Sequence, residues 1–168
     1  MTDVSTFIPH RGAMLLISAV RDVSTNGRND GADTNHRVGP SAETIHDVML
    51  DEPCYAQWDL TEGPWPRTLM TEFLGQTAAF LCACVNADRT SQSPLFARAE
   101  NAVFLGDAFP GDRVIGRATI ERTIGPASFV RASARVGNRI LCTIEQATIF
   151  YTDDVRHRLD DNNKGETP

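Results

Sequence analysis

The sequence predicts a single α+β domain in which a curved antiparallel sheet wraps around one long apolar helix. Residues 68–84, T-L-M-T-E-F-L-G-Q-T-A-A-F-L-C-A-C, form a helical stretch that is apolar on almost every side. Residues 96–151 contain several segments in which apolar and polar residues alternate, separated by turn residues. A helix that is apolar all round belongs inside a domain, and a sheet from the same chain encloses it.

The segments before this helix predict short strands and loops. Residues 7–23 open with the turn I-P-H-R-G-A and continue as an apolar run, which predicts a strand. Residues 24–42 are rich in Asn, Asp, Gly and Ser and predict an exposed loop, whereas residues 43–50 predict a short strand. Residues 51–67 combine prolines with aromatic side chains, so we expect a loop that lines a pocket or an interface and no regular element.

The remaining elements follow from the helix onwards. Pro66 is a start signal for the helix, and Thr68 is its expected N-cap. A hairpin is expected at Gly137-Asn138, between two of the strands. We assign residues 1–152 to the folded domain and residues 153–168 to a disordered acidic tail without apolar anchors. The predicted strands after the helix are 96–104, 113–124, 127–136 and 139–151.

Composition excludes several classes of function. The net charge is −6 and no run of Lys and Arg occurs, so we expect no nucleic-acid partner. We judge no apolar run long enough to cross a bilayer, and the N-terminus lacks a secretory signal, so we expect a cytoplasmic protein without a membrane partner. The cysteine spacing fits no metal site, so we expect reduced buried thiols, no metal and no bound cofactor. The cysteines are Cys54, Cys82, Cys84 and Cys142.

The apolar helix carries two polar residues that suggest chemistry. Glu72 and Gln76 are four residues apart, which places both side chains on one face of the helix. A carboxylate is rarely buried without a partner or a purpose. An apolar environment raises a carboxyl pKa towards the range in which the group transfers protons at neutral pH. We therefore expect Glu72 to be a catalytic acid with a raised pKa.

Four sequence motifs occur in order along the chain. They are I-P-H-R-G-A-M-L-L-I at 8–17, D-E-P-C-Y-A-Q at 51–57, L-M-T-E-F-L-G-Q-T-A-A at 69–79 and F-P-G-D-R-V at 109–114. In this order they resemble the hotdog-fold 3-hydroxyacyl-[acyl-carrier-protein] dehydratases of fatty-acid and polyketide synthesis. The resemblance implies a hotdog fold, active sites between two subunits, and a substrate carried on the phosphopantetheine arm of an acyl carrier protein. It also implies that Glu72 is the helix acid of the family and Gln76 its helix glutamine.

The chain departs from that family at one catalytic position. The usual dehydratase has a histidine in an H-F-P-G loop ahead of the helix, and Trp58 holds that place here. A branch of the family associated with polyene pathways also lacks the loop histidine but keeps a P-H-x-G-x-M motif. The segment P-H-R-G-A-M at 9–14 is similar to that branch, which makes His10 a candidate base. His46, in the short predicted strand, is a second candidate, and His36 and His157 are expected at the surface.

The resemblance implies the dehydration of a 3-hydroxyacyl thioester. His10 would take the proton next to the carbonyl, Glu72 would protonate the departing hydroxyl, and helix N–H groups near Thr68 would hold the thioester oxygen. Gln76 would orient Glu72 or the hydroxyl. Further candidates for substrate binding are Arg11 for the phosphate of the arm, and Trp58 and Trp65 for the acyl tunnel or the dimer interface.

Two other functions use the same residues. Hotdog relatives that hydrolyse acyl thioesters use a helix acid without the loop histidine, so Glu72 would also suit a thioesterase. Loss of the loop histidine is, in addition, what a degenerate subunit of a heterodimeric dehydratase would show. The expected partners are therefore an acyl carrier protein and a second hotdog subunit, in a homodimer or a heterodimer.

Overall fold

A computed structural model describes residues 3–26, 39–56, 63–87 and 92–153, and the account below concerns these residues. Their strands form one six-stranded sheet in the order β1-β2-β4-β5-β6-β3, and every neighbouring pair is antiparallel. The helices are α1 (Pro53–Ala56) and α2 (Arg67–Val85). The strands are β1 (Ala19–Ser24), β2 (Ser41–Asp47), β3 (Gln92–Phe104), β4 (Arg113–Ile124), β5 (Ala127–Val136) and β6 (Arg139–Asp153).

Helix α2 is the core of the domain. Every residue from Phe73 to Cys82 is buried, and the helix packs against β2 to β6. By length and composition alone this helix would be able to cross a membrane, which corrects our expectation that no apolar run is long enough. In this protein the sheet covers the apolar surface of the helix, because five strands pack against it. The predicted α+β architecture is confirmed.

Two glycines let the helix and the sheet approach each other closely. A Cβ atom on Gly75 of α2 would overlap the ring of Phe96 on β3. A Cβ atom on Gly116 of β4 would lie 2.7 Å from the ring of Phe73 on α2. Real Cβ contacts are not this short, so each glycine leaves the space that an aromatic ring on the facing element occupies.

Several predicted boundaries differ from the structure. Strand β1 begins only at Ala19, because the residues before it form short 3-10 turns at Val4–Thr6 and Gly12–Met14 and then an extended segment. The short helix α1 lies in the loop where we expected no regular element. Pro66 is the N-cap of α2, so Thr68 lies inside the first turn and does not cap it.

The domain boundary also moves by one residue. Strand β6 pairs with β3 as far as Asp153, so the folded domain extends past residue 152. The rest of the proposed tail, and most of the proposed loop at 24–42, lie outside the described residues. Strands β4 and β5 have the predicted limits, and the turn that joins β5 to β6 contains Gly137 with φ +56°.

Removing the hydroxyl of Tyr55 is expected to stabilise the protein. Tyr55 is 2% exposed, and among the described residues its hydroxyl has no hydrogen-bond partner. Burial raises the pKa of this hydroxyl to about 12. An unpaired buried hydroxyl is unfavourable, so Tyr55→Phe should raise the free energy of unfolding in urea by about 1 kcal/mol.

A matched control for this substitution is Tyr151→Phe. The Tyr151 hydroxyl donates to the Cys82 carbonyl at 2.6 Å and accepts from Nδ2 of Asn86 at 2.7 Å. Loss of these bonds should lower the free energy of unfolding by about 1–2 kcal/mol. Equal losses in the two variants would contradict the assignment of an unpaired hydroxyl to Tyr55.

Candidate active site

The candidate site consists of a histidine and a glutamate that the fold brings together within one protomer. Nε2 of His10 lies 3.0 Å from Oε1 of Glu72. The two side chains are 25% and 28% exposed, so each is shielded yet open to a ligand. The structure therefore pairs the two residues that the sequence proposed as catalytic, although the proposed family combines residues from two subunits.

The N-terminal turn places His10 over the helix. Ile8 is fully buried and anchors the turn in the core. Nη1 of Arg11 donates to the carbonyls of Ile8 and His10, both at 2.7 Å, and closes the turn. Gly12 then adopts φ +55°, a left-handed conformation that favours glycine, and the chain turns back along α2. Arg11 and Gly12 of the P-H-R-G motif thus each have a local structural role.

Gln76 connects Glu72 to the same N-terminal segment. Its Nε2 donates to Oε1 of Glu72 at 2.9 Å and to the carbonyl of Met14 at 2.8 Å. Its Oε1 accepts from the amide of Leu16 at 2.9 Å. The side-chain amide is fully buried, so these bonds set its orientation. Oε1 of Glu72 is held by two partners, whereas no hydrogen bond reaches Oε2 from the part of the chain that the structure describes.

The electrostatics of Glu72 differ from the sequence expectation. The hydrogen bond from His10 lowers the pKa of Glu72, burial opposes this effect, and the bond from Gln76 adds to it. The net pKa lies below its ordinary value of 4.5, so the expectation of a raised pKa is wrong. Donors close to the carboxylate outweigh the apolar helix around it, and Glu72 is a carboxylate at neutral pH.

The hydrogen bonds of His10 indicate which ring nitrogen carries the donated proton. Its Nδ1 is buried and has no hydrogen-bond partner among the described residues. A proton on Nδ1 would be a buried donor without an acceptor there, which is unfavourable. The arrangement therefore favours a proton on Nε2, which donates to the Glu72 carboxylate.

A cavity of about 220 Å³ lies at the start of α2, one helical turn before Glu72. Its lining is mostly apolar and includes Met14, Leu16, Glu52, Cys54, Thr68 and Leu69. Pro66 provides no side-chain cap to α2, so among the described residues the N–H groups ahead of Met70 are available to a ligand. The N–H of Met70 itself is not available, because it bonds to the Pro66 carbonyl at 3.1 Å.

A larger cavity, of about 400 Å³, is a less suitable candidate for the substrate pocket. It lies on the face of the sheet opposite α2, and its lining includes Arg117, Arg131 and Glu145. These side chains alternate along their strands with the buried residues that face the helix. The sheet therefore separates the larger cavity from Glu72, whereas the smaller cavity is lined by residues of the same helix as Glu72, one turn before it.

The other predicted binding residues have varied positions. Trp65 is fully buried in the core of the protomer, with its ring stacked on His46 at 4.4 Å, and is not at an open surface. Arg11 uses its guanidinium on the backbone of its own turn. Thr68 is exposed at the cavity. Trp58 lies outside the described residues. The substrate contacts assigned to these residues remain predictions.

The sequence analysis did not identify a second polar cluster, which consists of His46, Glu52 and Trp65. Nδ1 of His46 donates to the Leu16 carbonyl at 2.6 Å, and Nε2 lies 3.2 Å from Oε1 of Glu52. Nε1 of Trp65 donates to Oε2 of the same glutamate at 3.0 Å. Both nitrogens of His46 are thus occupied, and His46 does not face Glu72 as an alternative base. Alternation along β2 places His46 on the buried face with Ala42 and Thr44, and this pattern was an available signal.

All four cysteines lie in the described residues and are free thiols. Burial raises the pKa of Cys82 to about 12 and that of Cys142 to about 11. Cys54, beside the cavity, also has a raised pKa, first because of burial and then because of Glu52. None of these three thiols is activated as a nucleophile.

Comparison with known proteins supports the architecture and shows relatives that share a named activity. No protein-family model matches the chain. Three curated relatives are named 3-hydroxyacyl-[acyl-carrier-protein] dehydratase FabZ. That of Haemophilus ducreyi is 23% identical over 84% of this chain and 84% of its own length. That of Rickettsia felis is 27% identical over 73% and 75% of the two chains, and that of Burkholderia lata is 26% identical over 90% and 91%.

Solved structures confirm the predicted hotdog fold. The dehydratase heterocomplex ApeI:P from Xenorhabdus doucetiae contains a chain with a TM-score of 0.69 and 12% identity, over 96% of this chain and 99% of that one. A hot-dog-like protein from Thermanaerovibrio acidaminovorans has a TM-score of 0.58 and 16% identity, over 78% and 94%. The chain has a hotdog fold, and several curated relatives that align over most of its length are named 3-hydroxyacyl-[acyl-carrier-protein] dehydratases.

Proposed function

We propose that this protein dehydrates a 3-hydroxyacyl thioester, carried on an acyl carrier protein, to the 2-enoyl thioester. The observation that carries the proposal is the contact of 3.0 Å between Nε2 of His10 and Oε1 of Glu72. An apolar cavity, lined in part by Thr68 and Leu69, lies at the N-terminus of α2, one helical turn before Glu72. The names of the curated relatives support the same reaction class.

The reaction moves one proton from carbon to oxygen. Oε2 of Glu72, the oxygen without a partner in the described residues, takes the proton from the carbon next to the thioester carbonyl. The same carboxyl group then returns that proton to the hydroxyl on the neighbouring carbon, which leaves as water. The C–O bond breaks, a C=C bond forms, and Glu72 is again a carboxylate, so atoms and charge balance. The lowered pKa of Glu72 supports this role, in place of the protonated acid that we expected.

The neighbouring groups hold the carboxylate and the thioester. His10 and Gln76 both donate to Oε1, which leaves Oε2 without a partner among the described residues. The N–H groups at the first turn of α2, around Thr68, meet the thioester oxygen as negative charge develops on it. The acyl chain enters the apolar cavity. The proposal places Thr68 at the substrate, as the sequence predicted, whereas Gln76 is fully buried and acts by orienting Glu72.

The partners and the pathway belong to the same proposal. We place the reaction in fatty-acid or polyketide synthesis, with a phosphopantetheine arm as the carrier of the acyl group and no further cofactor. The missing loop histidine and the pairing of His10 with Glu72 in one protomer support a position near the polyene-pathway branch. The ApeI:P structure is a dehydratase heterocomplex, which supports assembly with a second hotdog subunit. Four free cysteines are consistent with a cytoplasmic location.

The direct test is mass spectrometry of a 3-hydroxyacyl carrier-protein thioester incubated with the pure protein. Loss of one water from the acyl group is expected. Release of the free acid would replace the proposal with a thioesterase. Absence of any reaction, both alone and with a co-purified hotdog partner, would contradict the proposed function. A reaction that requires the partner would retain dehydration and assign this chain to a heterodimer.

The pH dependence of the reaction follows from the ionisation of Glu72. The pKa of Glu72 is lowered, so its active carboxylate form persists at neutral pH and is lost as the pH falls through a value below 4.5. His10→Ala removes the largest cause of that shift. The acid limb of the kcat/KM profile should therefore move to higher pH in this variant. An acid limb that stays in place would contradict the pairing of the two residues.

A further inference from the structure

A second histidine–glutamate pair, His46 and Glu52, takes no direct part in the proposed reaction. His46 is 5% exposed, and its ring lies between Trp65, stacked at 4.4 Å, and Phe73, at 5.8 Å between ring centroids. Glu52 is the ionisable group that meets the ring, at 3.2 Å from Nε2. A largely buried polar pair of this kind is unfavourable unless its hydrogen bonds are satisfied. Here both ring nitrogens of His46 and both carboxylate oxygens of Glu52 have partners.

The hydrogen bonds determine which atoms carry protons. A carbonyl only accepts, so Nδ1 of His46 must carry the proton in its bond of 2.6 Å to Leu16. Glu52 accepts at both oxygens, from the Met49 amide at 2.8 Å and from Nε1 of Trp65 at 3.0 Å. Glu52 thereby holds His46 in the orientation in which Nδ1 faces the Leu16 carbonyl, in the way a carboxylate orients a catalytic or metal-binding histidine.

The segment that His46 contacts has few backbone hydrogen bonds. Residues 15–18 precede β1 and take part in no ladder; the described backbone bonds of this stretch are Leu15 to Gly12 and Ser18 to Ile45. The side chain of Leu16 is buried in the core, but its backbone carbonyl and amide are bound by side chains. The carbonyl accepts from His46 and the amide donates to Gln76. The orientation of the Leu16 backbone groups therefore depends on these two contacts.

We propose that His46 is a positioning residue for the candidate active site, which it reaches through Leu16 and Gln76. Glu52 orients His46, His46 fixes the Leu16 carbonyl, and the Leu16 amide fixes the side-chain amide of Gln76. Gln76 in turn donates to Oε1 of Glu72. The chain of contacts joins the largely buried pair of His46 and Glu52 to the partly exposed pair of His10 and Glu72. The catalytic consequence rests on the proposed dehydratase function, whereas the positioning itself does not.

The proposal predicts a specific pattern among three replacements of His46. The side-chain nitrogen of Asn takes the place of Nδ1, so His46→Asn keeps the donor to Leu16 and loses the contact with Glu52. The nitrogen of Gln takes the place of Nε2, so His46→Gln keeps the contact with Glu52 and loses the donor. His46→Leu loses both. All three variants lose the imidazole ring and its stacking on Trp65, so lower thermal stability is expected in each.

Kinetics of dehydration separate positioning from stability. We expect kcat to fall about 10- to 100-fold in His46→Gln and His46→Leu with KM nearly unchanged, because Glu72 is misplaced by a fraction of an ångström. His46→Asn should recover kcat to within about threefold of the parent protein, on the same principle. The proposal is overturned if folded His46→Asn is as slow as His46→Leu, or if His46→Gln keeps the parent kcat.

A measurement without substrate keeps the test independent of the proposed function. In protein labelled with 15N and 13C, the Nδ1–H of His46 should show a coupling across its hydrogen bond to the Leu16 carbonyl carbon. The ring signals of His10 should move in His46→Gln and stay in place in His46→Asn. If the parent protein is inactive but this pattern holds, the proposed function fails and the positioning stands. If the coupling is absent from the parent protein, the positioning fails, even where the variants do not fold.

Discussion

Glu72→Gln is expected to lower kcat for dehydration by about 10³- to 10⁴-fold, because the carboxylate both removes and returns the transferred proton. Gln retains the size of the side chain and a hydrogen-bonding amide, so the contacts with His10 and Gln76 change little in shape. The protein should remain folded, with a circular dichroism spectrum like that of the parent. Single-turnover dehydration of a carrier-bound substrate measures the loss directly.

His10→Ala and Glu145→Gln complete this experiment. His10 is proposed as a donor to the carboxylate, and a hydrogen bond to a charged group stabilises it by about 1.5–3 kcal/mol, so a loss of about 10- to 100-fold is expected. Glu145 lies on the face of the sheet opposite α2, and its replacement should leave kcat unchanged. Equal losses for His10→Ala and Glu72→Gln would instead make His10 the base. A fully active Glu72→Gln variant would exclude this site.

Trp65→Ala is expected to lower the free energy of unfolding by about 3–5 kcal/mol, the usual range for removal of a buried Trp. Trp65 is fully buried, and its ring stacks on His46. Its indole also donates to Glu52. The alanine variant therefore leaves both a cavity and a buried carboxylate with one donor fewer. Urea denaturation followed by circular dichroism measures the change.

Trp65→Phe separates the two contributions. The phenyl ring keeps most of the apolar contact, so the loss should be about 1.5–3 kcal/mol, the range for a hydrogen bond to a charged group. Ile124→Ala is the surface control, because Ile124 is 62% exposed and its replacement should change stability by less than about 0.5 kcal/mol. If Trp65→Phe were as stable as the parent, the bond to Glu52 would not contribute to folding.

Much of the fold was predictable because local patterns and tertiary packing agree. Strands β4 and β5 have the predicted limits, since alternation along them matches burial against one helix. The helix exceeds the predicted range by one residue at each end. The start of β1 was not predictable from the sequence. The apolar run before it packs into the core like a strand, but its backbone is hydrogen-bonded by side chains and not by a neighbouring strand. Leu16 and Ile17 are as buried as strand residues but lie outside the ladder.

The contacts within the candidate site were predictable in part, but the electrostatics of Glu72 were not. Spacing on one helix face placed Glu72 beside Gln76, and the P-H-R-G turn made His10 a candidate, which the structure places beside Glu72. The pKa of Glu72 was predicted in the wrong direction, because the sequence displays the apolar helix around the carboxyl but not the donors that the N-terminal segment brings to it. His46 and Glu52 were not recognised as a pair, because their partners Leu16 and Trp65 come from two other segments.

The sequence by itself determined the apolar central helix, the alternating strands around it, and the acid and amide on one helix face. These features depend on residue type and on periods of two and 3.6 residues, which are local properties. Only the tertiary structure decided that His10 meets Glu72 in the same protomer, and that His46 is a buried contact of Leu16 and not a base. Those outcomes depend on distances between segments far apart in the chain, which the packing of the whole domain sets.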